Sequence, residues 1–199
     1  MSYRHIPAMP KEVDYYLDCR PGEIIVDGTI GGCGHAGKIC KKIFPDGLLI
    51  GIDQDMDAIA NADRILESYA SNIRLFHGNF IHLPDFLSQL KIAAVDGILL
   101  DLGISLHQIK NSGRGFSFRE DEPLDMRMDK QSGETAESLI NKLSRENLRK
   151  LFKDYGEERW AKQIAYKIVE TRKRKMIRTS IQLAQIVIDA IPGHALSKQ

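Results

Sequence analysis

The chain of 199 residues carries 28 Lys and Arg against 27 Asp and Glu, a formal net charge of +1 that does not indicate a nucleic-acid binder. A hydrophobic content of 43% is ordinary for a globular protein, and no apolar run approaches the roughly 20 residues that span a bilayer. The N-terminus lacks the apolar core of a signal peptide, and three cysteines without CxxC spacing predict reduced thiols and no metal site. We therefore expect a cytoplasmic protein without membrane segments.

The first hundred residues alternate between strand-like and helix-like patterns. The predicted strands cover 24–27, 48–53, 73–78 and 95–103, and the predicted helices cover 34–44, 57–70 and 82–92. These strands are apolar on both faces, which is typical of a parallel sheet with helices packed on both sides. The pattern predicts an α/β fold.

Residues 104–134 interrupt this alternation with glycines, a proline and many charges, and they show no sustained period. The rest of the chain is helical in pattern, with predicted helices at 135–143, 146–156, 157–173 and 180–191. Trp160 lies on an apolar stripe of the third of these helices, which favours a core position over a stacking platform. Thr179 with Gln182 predicts a capping box at the last helix.

Four glycines follow the first predicted strand within seven residues, in the stretch DGTIGGCG that begins at Asp27. Ligands of α/β sheets bind beyond the carboxyl ends of the strands. Asp53 ends the second predicted strand and Asp101 the fourth, so the glycine loop and these acids should converge on one rim. The sequence therefore predicts a ligand site at this rim.

Two cofactors fit such a rim. Gly32 to Gly37 match G-x-G-x-x-G, with Asp53 about 20 residues later, as in dinucleotide-binding folds. In the alternative, the loop wraps the methionine part of S-adenosylmethionine and Asp53 accepts from the ribose hydroxyls. We favour S-adenosylmethionine because the match starts five residues past Asp27. The charge of Asp27 would oppose a pyrophosphate but suits a sulfonium and an ammonium.

Long and unusual motifs then point to a family. In chain order they are HIPAMPKEV, VDGTIGGCGH, IGIDQD, VDGILLDLGIS, GRGFSFREDEPLDMRMD and YGEERWAKQIAYKIV, between about His5 and Pro192. The chain thus resembles the bacterial ribosomal RNA small-subunit methyltransferase H family, also called MraW. The resemblance implies methyl transfer from S-adenosylmethionine to N4 of a cytidine in the decoding region of 16S ribosomal RNA. The implied partner is this RNA, free or within the 30S subunit, with no DNA and no metal.

The resemblance also implies the domain organisation. We expect a Rossmann-like methyltransferase sheet with an inserted all-helical domain. Residues 1–108 would form the cofactor-binding domain, 109–134 a connecting region and 135–199 a helical substrate-recognition domain. The family continues past IPGHALSKQ into closing strands of the sheet, so an uncovered edge is expected at the fourth strand.

The family's site residues are carried over by motif. The implied cofactor contacts are Cys33, Gly34, His35, Asp53, Phe80, Asp101 and Gln108. Asp101 is the candidate acceptor of the amine proton, and Phe80 would lie against adenine unless it is a plain core aromatic. Cys33 replaces a usual glycine, and Leu106 and His107 replace a small residue and a proline.

The implied RNA contacts are Arg114, Phe116, Phe118, Arg119, Lys173 and Arg174. The alternative for the basic cluster at 167–178 is a solvated helix end, and Arg127 could instead pair internally with Asp125 or Asp129. Two other functions stay open at this stage. One is a non-catalytic homologue that binds RNA or cofactor, and the other is an NAD-dependent oxidoreductase.

Overall fold

The computed structural model describes residues 7–192, so His5, Ile6 and the final GHALSKQ of the quoted motifs lie outside the described residues. The chain divides into two compact units. The first contains the described residues through His107 together with Met128–Lys130. The second contains Gln108–Arg127 and the described residues from Gln131 onward.

The first unit is built on a four-stranded parallel sheet in the order β3-β2-β1-β4. Its strands are β1 (Ile24–Asp27), β2 (Leu48–Asp53), β3 (Ile73–His77) and β4 (Gly97–Leu99), and its helices are α1 (Pro10–Leu17), α2 (Ala36–Ile43), α3 (Met56–Ile65) and α4 (Leu83–Leu90). The strand order reverses between β1 and β4, which makes a topological switch point there. The predicted Rossmann-like α/β fold is confirmed.

Helices cover both faces of this sheet, because side chains alternate between the faces along each strand. Ile25 packs with α2 and α3 in one apolar cluster, whereas its neighbour Val26 packs with α4 in another. Both side chains are buried, and so are Leu49 and Ile50 at the adjoining positions of β2. The apolar runs of the inner strands therefore have the two-sided burial that their sequence predicted.

The fourth strand is shorter than predicted. Only Gly97–Leu99 pair with β1, not the whole of 95–103, and Ile98 is 51% exposed. In the described part of the chain β4 is an edge strand, so one of its two edges has no neighbouring strand. The helix predicted at 57–70 also ends early, at Ile65, and a 3-10 helix over Glu67–Asn72 follows. Helix α1 was not predicted.

The second unit is helical. It contains α6 (Ala136–Lys142), α7 (Arg145–Asp154), α8 (Ala161–Arg172) and α9 (Ser180–Ala190), and α5 (Leu106–Asn111) begins at the boundary between the units. Residues 104–134, predicted to lack regular structure, thus include one short helix. Trp160 packs against the buried core of this unit, as predicted. The Thr179 side chain accepts from the N–H of Gln182, as the predicted capping box requires. The Gln182 side chain accepts from the N–H of Arg178 and not from that of Thr179, so the second hydrogen bond of the box is shifted by one residue.

Candidate functional site

The glycine loop crosses the carboxyl edge of the sheet. The Gly28 N–H donates to the Leu99 carbonyl of β4 at 2.9 Å, and the Ile30 N–H donates to the Ile52 carbonyl of β2 at 3.0 Å. The loop therefore leaves β1 and touches the strands on both sides of it. It lies beside the switch point, where sheets of this type bind ligands.

Two glycines of this loop occupy positions that disfavour a side chain. A Cβ at Gly28 would lie 2.6 Å from Leu100 Cδ2 and 3.2 Å from Phe80 Cβ, so a side chain there would force both neighbours to shift. Gly31 has φ +42°, in the left-handed region that favours glycine. The glycines thus let the backbone pass close to neighbouring strands.

Asp53 links the loop to β2. Its Oδ2 accepts from the Gly31 N–H at 2.9 Å, and its Oδ1 accepts from the Asp55 N–H at 2.9 Å. Burial raises the pKa of Asp53, and these two hydrogen bonds oppose that shift. Because a carboxylate has about four acceptor positions, each oxygen retains capacity for a further donor such as a ribose hydroxyl.

Asp27 lies beneath the loop and is 2% exposed. Its Oδ1 accepts from the Thr29 N–H at 3.1 Å. Burial, with a smaller contribution from the nearby charges of Asp53 and Asp101, raises the pKa of Asp27 to about 7. Asp27 thus experiences repulsion from both Asp53 and Asp101, so a cationic ligand would relieve the repulsion and an anionic one would add to it.

This electrostatic arrangement fits S-adenosylmethionine, whose sulfonium and ammonium are both positive. A dinucleotide would bring an anionic pyrophosphate to the same carboxylates. Its fingerprint also needs a third glycine for close packing of helix on strand. A Cβ at Gly37, which occupies that position, would meet no heavy atom within 4 Å. The structure therefore gives the dinucleotide hypothesis no support.

Asp101 lies just beyond β4 with its side chain 32% exposed. Its N–H donates to Thr29 Oγ1 at 2.7 Å, which ties it to the glycine loop. His35, only 7% exposed, places Nε2 3.8 Å from Asp101 Oδ2. Asp101 is thus fixed to the glycine loop through its backbone, lies near His35, and keeps part of its carboxylate accessible.

Cys33 has φ +62°, which explains why glycine suits this position in the family. Its side chain is buried in the apolar cluster with α2 and α3, where Asn61 Nδ2 lies 3.9 Å from Sγ. Burial raises the pKa of this thiol to about 12. Only its backbone is therefore available to a ligand at the rim. At Gly34, the space a Cβ would need is taken by Pro7, 2.7 Å away.

Phe80 opens the 3-10 helix Phe80–His82 and is half-buried. In the described residues it belongs to neither apolar cluster of the sheet, and contact with adenine stays a prediction. Gln108 is buried in α5 and belongs to the second unit, where Ser112 Oγ donates to its carbonyl at 2.6 Å. In the first unit, His107 Nε2 lies 4.0 Å from Asp57 Oδ2.

The structure thus assembles the acids, His35 and Phe80 around one loop in the first unit. Sequence reasoning weighed Asp27 but did not assign it to the site, and it missed Thr29. The hydroxyl of Thr29 binds a group 72 positions away, so no local pattern reveals it. The sequence did contain a signal that could assign Asp27 to the site, because Asp27 ends a strand directly before the glycines.

The proposed RNA-contacting residues fall in two places of the second unit. Arg114 is 2% exposed, donates to the Arg127 carbonyl at 3.0 Å and lies 5.4 Å from the centre of the Phe116 ring. Phe118, by contrast, is 74% exposed, and Arg119 beside it is exposed as well. RNA contact by this loop stays a prediction, and Arg114 contributes to the loop's interior.

The internal pairing of Arg127 is confirmed, since its guanidinium makes hydrogen bonds of 2.9 and 2.8 Å to Asp125. Lys173 and Arg174 follow the end of α8 and are exposed, and Lys173 pairs with Glu170 at 2.6 Å. Both remain candidates for RNA contact.

Residues 7–192 include no helix that is long and apolar enough to cross a membrane. The same residues hold no group of three or more His, Cys, Asp or Glu side chains that could bind a metal ion. Cys19, Cys33 and Cys40 are free thiols.

Comparison with known proteins identifies the family. The model of the MraW methylase family matches residues 2–199. The chain belongs to this family. Among MraW relatives, ribosomal RNA small subunit methyltransferase H of Desulfosudis oleivorans is 50% identical over 97% of this chain and 62% of its own length. The protein of the same name from Desulforapulum autotrophicum is 49% identical over the whole chain and 64% of its own length.

The chain therefore spans less than two thirds of the length of these MraW relatives. A solved SAM-dependent methyltransferase from Aquifex aeolicus superposes with a TM-score of 0.32 at 15% identity, covering 36% of this chain and 38% of its own. That overlap is too small to bear on fold or function.

Proposed function

We propose that this chain acts in an S-adenosylmethionine-dependent methyltransferase that methylates N4 of a cytidine in the decoding region of 16S ribosomal RNA. The observation that carries the proposal is the meeting of Asp27, Asp53 and Asp101 around the glycine loop of an MraW-family sheet. The names of relatives about 50% identical to it support ribosomal RNA as the substrate. Activity, substrate and the 30S subunit as partner are all part of the proposal.

In this proposal the first unit binds and orients the cofactor. Asp53 accepts from the ribose hydroxyls, and Phe80 lies against the adenine. Asp27 and Asp101 supply negative potential to the methionine end. When bound, the cofactor would supply a methyl group on a positively charged sulfur that is a good leaving group.

In this proposal Asp101 binds the amine of the target cytidine and accepts its proton. The cytosine amine is a poor nucleophile because its lone pair is conjugated with the ring, so positioning must supply most of the rate enhancement. Correct orientation is worth up to about 7–11 kcal/mol. The accessible oxygen of Asp101 accepts a hydrogen bond from the amine and can take its proton, while the hydrogen bond from the Asp101 N–H to Thr29 Oγ1 fixes the backbone that carries this carboxylate. The target base must be single-stranded or flipped to reach this site.

The first test is calorimetric titration of the purified chain with S-adenosylmethionine. We expect saturable binding that Asp53→Ala abolishes, because the substitution removes both the ribose acceptor and the anchor of Gly31. The exposed α3 residue Asp63, changed to Ala, is the matched control and should bind as the parent does. The proposal would be refuted by a folded parent chain that binds NADH but does not bind S-adenosylmethionine.

The second test is transfer of labelled methyl to small subunits and to free 16S RNA from cells lacking the modification, with nucleoside analysis for N4-methylcytidine. Asp101→Asn should weaken cofactor binding, because it removes a charge that attracts the methionine end, and at saturating cofactor it should lower the rate by roughly 100-fold or more, the scale of general-base catalysis. Cofactor binding without transfer to either RNA would favour the binding-only homologue. Comparison of the two RNAs identifies the substrate form.

A further inference from the structure

A groove of about 680 Å³ lies wholly within the helical unit, between the first half of α7, one face of α8 and the last turn of α9. This volume falls in the range of about 300–1,000 Å³ that is usual for ligand sites. None of the residues assigned above to the cofactor lines it, and of the basic cluster at 167–178 only Lys167 does. Its chemistry is therefore independent of the methyl-transfer site.

The groove is rich in unpaired positive charge. Four cations line it, and two acids, Glu146 and Asp189, accompany them. Glu146 is engaged by Arg149 at 2.5 Å, and Asp189 accepts from a neighbouring glutamine on α9 at 2.8 Å. The other cations, Arg145, Lys162 and Lys167, have no ion pair within residues 7–192. Charge complementarity therefore favours a polyanion.

An aromatic ring lies among these cations. Tyr166 is 53% exposed, although its neighbours Ala165 and Ile168 on α8 are buried in the core of the unit. Lys162 stands one turn before Tyr166 on the same helix face. Cations beside an accessible ring are the elements of single-strand recognition, because phosphates bind the cations while an unstacked base lies on the ring.

We propose that this groove binds a single-stranded segment of RNA, with a base stacked on Tyr166 and its phosphates held by Arg145, Lys162 and Lys167. The choice of RNA over DNA rests on the proposed function. A duplex is excluded as the preferred ligand because its bases are already stacked and cannot reach the ring. The site would hold RNA that flanks the methylated base and raise the affinity of the enzyme for its substrate.

The probe is a fluorescein-labelled (CA)n RNA of roughly 12 nucleotides, within the usual site size, followed by anisotropy in the absence of cofactor. Tyr166→Ala should weaken binding by about 5- to 150-fold, the range measured for loss of one stacked base. Tyr166→Phe keeps the ring and should bind within about twofold of the parent. Lys162→Ala should reduce the slope of log K against log salt by about 0.7, one single-strand phosphate contact.

Tyr155→Ala is the control, since Tyr155 is 89% exposed on the same unit but does not line the groove. It should leave the affinity unchanged. The proposal is overturned if Tyr166→Ala binds like the parent, if Tyr166→Phe loses as much affinity as Tyr166→Ala, or if a duplex of equal length binds as tightly as the single strand. Binding of the matching DNA single strand as tightly as RNA would overturn the assignment to RNA. Calorimetry with S-adenosylmethionine on Tyr166→Ala separates the RNA-groove proposal from the proposed function. We expect unchanged cofactor affinity in this variant, because Tyr166 lies outside the cofactor site.

Discussion

Asp27→Asn should make the ligand-free chain more stable at neutral pH and weaken its binding of S-adenosylmethionine. Asp27 is buried, and its Oδ1 accepts one backbone hydrogen bond, from Thr29. Asparagine has nearly the same shape and can keep that hydrogen bond through its own Oδ1. The substitution therefore removes a buried ionisable group with little change in packing.

The magnitude follows from the raised pKa of Asp27, about 7 in the folded chain against an ordinary 3.8. Below pH 3.8 the carboxyl group is protonated in both the folded and the unfolded chain, so its ionisation does not lower the free energy of unfolding. As the pH rises from there, the unfolded chain loses its proton first, so folded-state stability falls until the pH passes about 7. Three units of pKa correspond to about 4 kcal/mol, which is reached in full only above pH 7.

The assay is urea unfolding of parent and variant between pH 5 and pH 8, followed by circular dichroism. The variant's advantage in free energy of unfolding should grow by roughly 2–3 kcal/mol across this interval. Asp63→Asn, an exposed change on α3, should show no such growth. A difference between Asp27→Asn and the parent that stays constant with pH would refute the reasoning. Calorimetry at pH 8 should show weaker cofactor binding, since the variant lacks the charge that attracts the sulfonium and the ammonium.

Three further predictions concern the rest of the fold. Leu148→Ala should lower the free energy of unfolding by about 2–5 kcal/mol, because Leu148 is fully buried in the helical core. Gly115→Ala should lower it by about 1–3 kcal/mol in thermal melts, since Gly115 has φ +77° and a Cβ there would lie 2.5 Å from a carbonyl oxygen. Ile98→Lys should slow concentration-dependent aggregation in light scattering, because it places a charge on the exposed edge strand β4.

Matched changes test these causes. Lys150→Ala, on the exposed face of the same helix as Leu148, should change stability by less than about 0.5 kcal/mol. Gly133→Ala shares the positive φ of Gly115, at +75°, but meets no atom within 4 Å. It should therefore cost less than Gly115→Ala, and equal losses would assign the whole effect to backbone strain. If Ile98→Lys aggregates like the parent, the edge of β4 is not the contact.

Some features were predictable because their causes are local in the sequence. The apolar runs at 24–27 and 48–53 predicted inner parallel strands, since a strand covered on both faces has no polar side. The acids that end predicted strands had to meet, because the carboxyl ends of parallel strands share one edge. The pairing of Arg127 with Asp125 was likewise foreseeable from two residues of spacing.

Burial and orientation at the site were decided only by the tertiary structure. The pKa of Asp27 is raised because neighbouring helices and strands exclude water from its carboxyl group. The residues next to Asp27 in the sequence do not reveal this burial. Cys33 faces the core because its backbone is left-handed there, and Arg114 turns inward to the Arg127 carbonyl. The edge position of β4 depends on which strands lie beside it. The sequence by itself determined which residues reach the rim of the sheet, whereas long-range packing decided which of their atoms remain accessible to a ligand.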